Sequence, residues 1–320
     1  MSRLSIDEKI EQLEQLDFGN DPEVSKTTIQ AALKAKQNRL VSKAAKLCVE
    51  HHLYEYFEEL KAAFHYFAEK PEKDKGCFAK KSIVKTLYEL DCLDDDFYTA
   101  AIALRQHEPV WGGHVDSAVE VRCWSAYGLT LSANSRIVFP LIELLHDEEP
   151  QARLGAVKAI SHVNPSTAEL LLREKVLDGD EDAYVVGECF DQLMSIEPEC
   201  SLEFVAGYLQ HDHDEVREYA ALALAHCSDP QAFDALKSAF EEYSFGRQGG
   251  KLIEAMALHR SQKAMDYLLD RLTDADIGLA TDIIRSLSVY KSNESLRARM
   301  LTIISELSDN RLESVFEEYW

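Results

Sequence analysis

The chain has 320 residues, 46% of them hydrophobic, with a formal net charge of −23 and seven cysteines. That length exceeds what one compact core usually fills, the composition excludes a wholly disordered chain, and the acidic excess argues against general nucleic-acid affinity, which needs a cationic surface. No apolar run approaches the roughly 18 residues of a membrane span. The charged start MSRLSIDEKI lacks the apolar stretch of a signal peptide. The cysteines are odd in number, scattered and without a CxxC pair, and read as small core residues in the reducing cytoplasm.

Taken in order, residues 4–16 form a short charged amphipathic helix that reads as a cap. From residue 24 to 49 there are six bases (Lys26, Lys34, Lys36, Arg39, Lys43, Lys46) and no acid. Such a run is usually the solvated face of a helix, and alternatively a patch for an acidic partner.

Within and after it, one helical stripe recurs. From an anchor residue, apolar or small side chains return after four, seven, eight and often eleven positions, which is one face of an α-helix. Leu40 leads to Ala44, Leu47 and Cys48; Ala79 to Ile83, Thr86, Leu87 and Leu90; Val121 to Ser125, Gly128 and Leu129. Ala152 leads to Ala156, Ala159, Ile160 and Val163, and Asp182 to Val186, Cys189, Phe190 and Leu193. Val216, Gln248 and Asp276 begin further copies. The anchors stand 28 to 42 residues apart. Self-similarity at that period signals stacked units, because no single unit buries its apolar face alone.

A second helix precedes each stripe, as at residues 138–146, 201–210 and 264–272. Short acidic turns at 147–150, 178–181 and 212–215 separate the two, with carboxylates placed to cap the following helix. No alternating β-branched run reads as a strand, so the expected class is all-α: an α-α superhelix of about eight helix pairs, capped at both ends. Residues 296–307 with the terminal Phe316 and Trp320 are the expected far cap. Units of about 40 residues fill 1–115 and units of about 31 fill 116–320, in one continuous array.

The segment Pro140-Leu-x-x-Leu-Leu-x-Asp147-x-x-Pro150-x-x-Arg153-x-x-Ala156, with a weaker copy around Asp212, Val216, Arg217, Ala220 and Leu224, resembles HEAT repeats, in particular the short alanine-rich PBS-lyase HEAT-like form of bacterial proteins. The likeness covers roughly residues 116–290 well. It implies an armadillo-like α-solenoid and little about function, since such arrays serve many tasks. HEAT families often stack an Asp and an Arg as a ladder between units. The six-residue pairs Asp74–Lys80, Asp116–Arg122 and Asp147–Arg153 fit that role. Past them Ala183 replaces the arginine and His211 the aspartate, so the ladder is expected to lapse. Lys80, Arg122, Arg153 and Arg217 share one repeat position, which on a concave face would make a cationic track instead.

The most unusual stretch is Gln106-His-Glu-Pro-Val-Trp111-Gly-Gly-His114-Val, placed where other units have only a short turn. His107, Trp111, Gly112, Gly113 and His114 form the candidate ligand or partner site. The plainer reading has Trp111 filling the joint where unit length changes. His211-Asp212-His213-Asp214 lacks a distant ligand and reads as capping rather than metal binding. No GxSxG, Walker A, HExxH or GxGxxG motif is present. The expectation is therefore a non-enzymatic scaffold holding another protein, without cofactor or metal. The resemblance adds two alternatives, bilin handling as in lyase subunits and DNA binding as in HEAT-like glycosylases.

Overall fold

The computed structural model describes residues 5–242 and 247–320; of Arg247 and Gln248 it describes the backbone alone, so the Gln248 anchor side chain and Leu4 lie outside the described residues. By packing, the chain divides into two compact units that meet in sequence at Asn164 and Pro165.

In the first unit, α1 (Ile6–Glu14) is followed by four helix pairs. The leading helices are α2 (Pro22–Leu33), α4 (Phe57–Glu69), α6 (Asp95–Ile102) and α8 (Val138–Leu145), and the following ones α3 (Asn38–Glu50), α5 (Phe78–Glu89), α7 (Val119–Thr130) and α9 (Pro150–Ile160). The following helices lie side by side in chain order, and α1 packs on α3 as a lid. Ser5 starts α1 with a capping box: its Oγ accepts from the Glu8 N–H while the Glu8 carboxylate accepts from the Ser5 N–H.

The second unit repeats the plan. Its leading helices are α10 (Pro165–Asp178), α12 (Pro198–Gly207), α14 (Pro230–Glu242) and α16 (Gln262–Thr273), and its following helices α11 (Ala183–Ile196), α13 (Asp214–Ala225), α15 (Arg247–Leu258) and α17 (Ile277–Leu287). Then α18 (Glu294–Leu307) and α19 (Asn310–Tyr319) close it. Phe316 is buried, Trp320 stacks on it at 5.5 Å, and the Trp320 indole N–H donates to the Ile284 carbonyl, which fixes the cap on α17.

The stripes form the core. Ala44, Ile83, Leu87, Val121, Leu129, Ala152, Ala156 and Ile160 are buried in the first unit, and Val186, Phe190, Ala220, Leu224, Ile283 and Leu287 in the second. Small residues let neighbours approach closely: a Cβ at Gly128 would lie 2.1 Å from the Tyr98 ring. The acidic turns work one step earlier than expected. Asp147 Oδ1 accepts from the Glu149 N–H, and Asp180 Oδ1 from the Asp182 N–H, so these acids bind the N-cap backbone itself.

The chain is not helical throughout. Residues 107–116 form an antiparallel hairpin, β1 (His107–Val110) with β2 (Gly113–Asp116), where the sequence showed no strand. Alternation fails as a signal because the hairpin stands clear of any core, leaving neither face apolar by necessity. A boundary at 115/116 falls inside β2. No helix among the described residues is long and apolar enough to cross a membrane.

Candidate functional site

The hairpin register pairs His107 with Asp116, Glu108 with Val115, Pro109 with His114 and Val110 with Gly113, leaving Trp111 and Gly112 as the turn. Gly112 has φ +93°, in the left-handed region open to glycine, at the second central position as in a type II turn. Cross-strand partners share a face. Glu108, Val110 and Val115 therefore line one side, and His107, Pro109 and His114 the other. Trp111 sits at the tip, fully exposed at 104%, so it does not fill the joint where the repeat length changes.

The base of the hairpin is anchored. Glu108 Oε1 accepts from the Gly76 N–H (2.7 Å), from Gln106 Nε2 and from the Ser117 hydroxyl (2.8 Å). Gln106 Nε2 also donates to the Asp74 carbonyl, and the Gln106 N–H donates to Asp116 Oδ1. Gly76 and Cys77 are both left-handed, which aims the Gly76 N–H at Glu108. Burial pushes the Glu108 carboxyl upward, but the three donors outweigh it and hold the group below its ordinary range. The result is a fixed stem carrying an open indole.

Beneath the hairpin the charged residues of the six-residue pairs come together. Lys80 Nζ lies 3.1 Å from Asp74 Oδ2, with both side chains fully buried. Asp74 also accepts from the Ala79 and Lys80 N–H groups, and Lys80 Nζ donates to the Phe67 carbonyl. Arg122 donates Nη1 to Asp116 and to the Leu104 carbonyl, and Nη2 to Asp147 of the following pair at 2.9 Å. Arg105 reaches the same Asp147. Arg153 Nη1 donates to the carbonyls of Asp147 and Glu148. At Asp116, burial pushes the carboxyl upward, and the N–H groups of Gln106 and Ala118 together with Arg122 bring it below its ordinary range. Lys80, Arg122 and Arg153 are buried and line no open surface. Arg217 is partly open and binds Asp214 and the His211 carbonyl.

Two ladder residues escape a six-residue spacing rule. Arg105 enters from the loop after α6, and in the second unit Lys175 of α10 pairs with Asp180 at 3.0 Å, both buried. The ion pair thus persists where Ala183 stands, with its cation supplied by the leading helix. A Lys five residues before an Asp across the acidic turn was the available signal.

The basic run of residues 24–49 is largely answered by local acids: Lys26 by Glu55, Lys34 by Glu59, Arg39 by Asp7 and Lys43 by Glu14. In the segment 211–214, the His213 N–H donates to His211 Nδ1 and Asp214 engages Arg217. No three His, Cys, Asp or Glu side chains among the described residues converge to hold a metal. Burial pushes the Cys48 thiol up to about 12 and Cys123 up to about 11, and raises Cys189 further. Cys200 is exposed.

No family model and no curated protein sequence matches the chain. Among solved structures, the karyopherin Kap121p bound to the SUMO protease Ulp1p matches over 98% of this chain with a TM-score of 0.51 and 12% identity. The chain spans 39% of that protein's length. The complex of CpcE and CpcF of phycocyanin lyase from Nostoc sp. PCC7120 matches over 94% of this chain and 98% of that one, at a TM-score of 0.35 and 14% identity. Identity at these levels speaks to fold alone. The paired helices, the buried aspartate ladder and the karyopherin likeness agree: in fold, the chain is a HEAT-like α-solenoid.

Proposed function

We propose that the chain is a non-enzymatic scaffold that holds another protein, with the Trp111 hairpin as one contact element. One observation carries the reading: a fully exposed tryptophan at the tip of a hairpin whose stem is tied down by Glu108. Tryptophan is among the residues most enriched at binding hot spots, and a fixed stem lowers the ordering cost of docking. Exposed Val110 and Val115 extend the apolar surface along one side. The raised thiols of Cys48, Cys123 and Cys189 weigh against thiolate chemistry at those positions near neutral pH. The karyopherin that shares the fold is bound to a protein in its structure, and that use of stacked helix pairs is carried over here as part of the proposal.

The test is affinity capture from host lysate with the wild type and Trp111→Ala as parallel baits, both checked for equal helicity by circular dichroism. A protein retained by the wild type and lost with the variant supports the reading. Equal capture by both baits removes the hairpin from the interface while leaving the scaffold, and capture by neither overturns the proposal.

A further inference from the structure

Six positions after each stripe anchor, an α-helix has turned well away from its core, at about 100° per residue. In the first unit this position holds Lys46 on α3, Lys85 on α5, Tyr127 on α7 and Lys158 on α9. In the second unit it holds Glu188, which is buried, and then Leu222, Glu254 and Asp282, on α11, α13, α15 and α17. The open charged side chains at this position are cationic in the first unit, Lys46 and Lys85, and anionic in the second, Glu254 and Asp282, within a chain whose total charge is −23.

Aromatic rings accompany the lysines. Tyr88, Trp124 and Tyr127 lie 5.7 Å from one another, and Lys85 Nζ sits 5.0 Å above the Trp124 ring. Lys46 and Lys85 are exposed. Lys85 meets Glu89 at 3.6 Å between two open side chains, a pair of little strength in water. Lys81, nearby, is already committed to Glu120 at 2.8 Å.

Neighbouring packed helices stand about 8–10 Å apart. A polyproline II chain has three residues per turn and rises about 3.1 Å per residue, so it returns a side chain to one face every 9 Å or so. A β-strand would not, because its every third side chain switches face. We infer that the α3, α5 and α7 face of the first unit binds an extended acidic peptide in polyproline II form, of pattern Glu-x-x-Glu-x-x-Leu. Its acids meet Lys46 and Lys85, and its apolar residue lies on Tyr127 and Trp124. Single-stranded nucleic acid fits less well. It carries a charge about every 3.4 Å along the strand, whereas the lysines come one to a helix and Glu50, Glu89 and Glu120 lie on the same helices. This inference rests on the scaffold reading and names the partner's chemistry.

The test is fluorescence anisotropy of the full chain with a labelled peptide of that pattern, proline and serine at the x positions, made in both chain directions. A scrambled peptide of equal composition and a labelled oligothymidylate serve as controls. The expected result is saturable binding of the patterned peptide in one direction. It weakens at least about tenfold in the surface double variant Lys46→Glu/Lys85→Glu and also with rising salt. Trp111→Ala, outside this face, leaves it unchanged. Equal binding of the scrambled peptide, tighter binding of oligothymidylate, or no loss in the double variant each overturns the inference. Trp111-dependent capture of a protein partner together with no peptide binding overturns it too, while leaving the scaffold reading in place.

Discussion

Arg122 of one helix pair donates to Asp147 of the next at 2.9 Å, with both side chains closed to solvent and Arg122 also bound to its own Asp116. This single guanidinium ties two helix pairs of the first unit through three acceptors, counting the Leu104 carbonyl. Removing one partner of a buried ion pair strands the other, at a cost of roughly 3–5 kcal/mol. Arg122→Leu is expected to lose that much in urea unfolding. Arg217→Leu, whose partner Asp214 is mostly open, should change stability by less than about 1 kcal/mol. Equal losses in the two variants would show that the ladder position does not matter.

Acid should weaken the first unit through Asp116 and Glu108. Both carboxyls are held below their ordinary range in the folded chain. A depressed group contributes stability that is fully present above its unfolded pKa and is lost as pH falls through the folded value. Urea midpoints should therefore be flat near neutrality and fall as pH drops below about 4. Asp116→Asn should start lower at neutral pH and decline less steeply in acid. A variant whose midpoints run parallel to the wild type would show that Asp116 contributes nothing to the acid transition.

The helix stripes were legible because burial on one side forces a 3.6-residue period, and a period survives any choice among Ala, Leu, Val and Ile. The pairs Asp74–Lys80 and Asp116–Arg122 were legible as a spacing, since both partners flank one helix start. The pair Lys175–Asp180 was not, because its cation comes from the leading helix and keeps no fixed offset within the stripe. The hairpin was hidden for a different reason. Its residues are held by the Glu108 and Asp116 carboxylates rather than by an apolar face, so Glu-Pro-Val-Trp carries no alternating pattern to read. The expected acid caps were offset by one residue because Asp147 serves Arg122 and the Glu149 N–H together.

Gly128 tests the close packing of α6 on α7. A methyl there would meet the buried Tyr98 ring at 2.1 Å, and Tyr98 has no open side toward which to move. Overpacking of this kind costs typically 1–3 kcal/mol, well beyond the roughly 1 kcal/mol that alanine gains over glycine by helix propensity. Gly128→Ala is thus expected to lower the melting temperature. A variant as stable as the wild type would mean that Tyr98 relocates without cost.

The stem and tip of the hairpin should respond in opposite ways. Trp111 touches nothing that holds the fold, so Trp111→Ala should leave stability within about 0.5 kcal/mol. Glu108→Ala removes the acceptor shared by Gly76, Gln106 and Ser117, leaving their donors to water or to no partner. Amide hydrogen exchange at Gly76 reads this directly, because its N–H donates to Glu108. Its protection should fall in Glu108→Ala and stay unchanged in Trp111→Ala. If the scaffold reading holds, both variants lose the captured partner, one by deleting the contact and the other by freeing the stem that aims it. Retained capture in Glu108→Ala with lost Gly76 protection would show that the tip binds without needing a fixed stem.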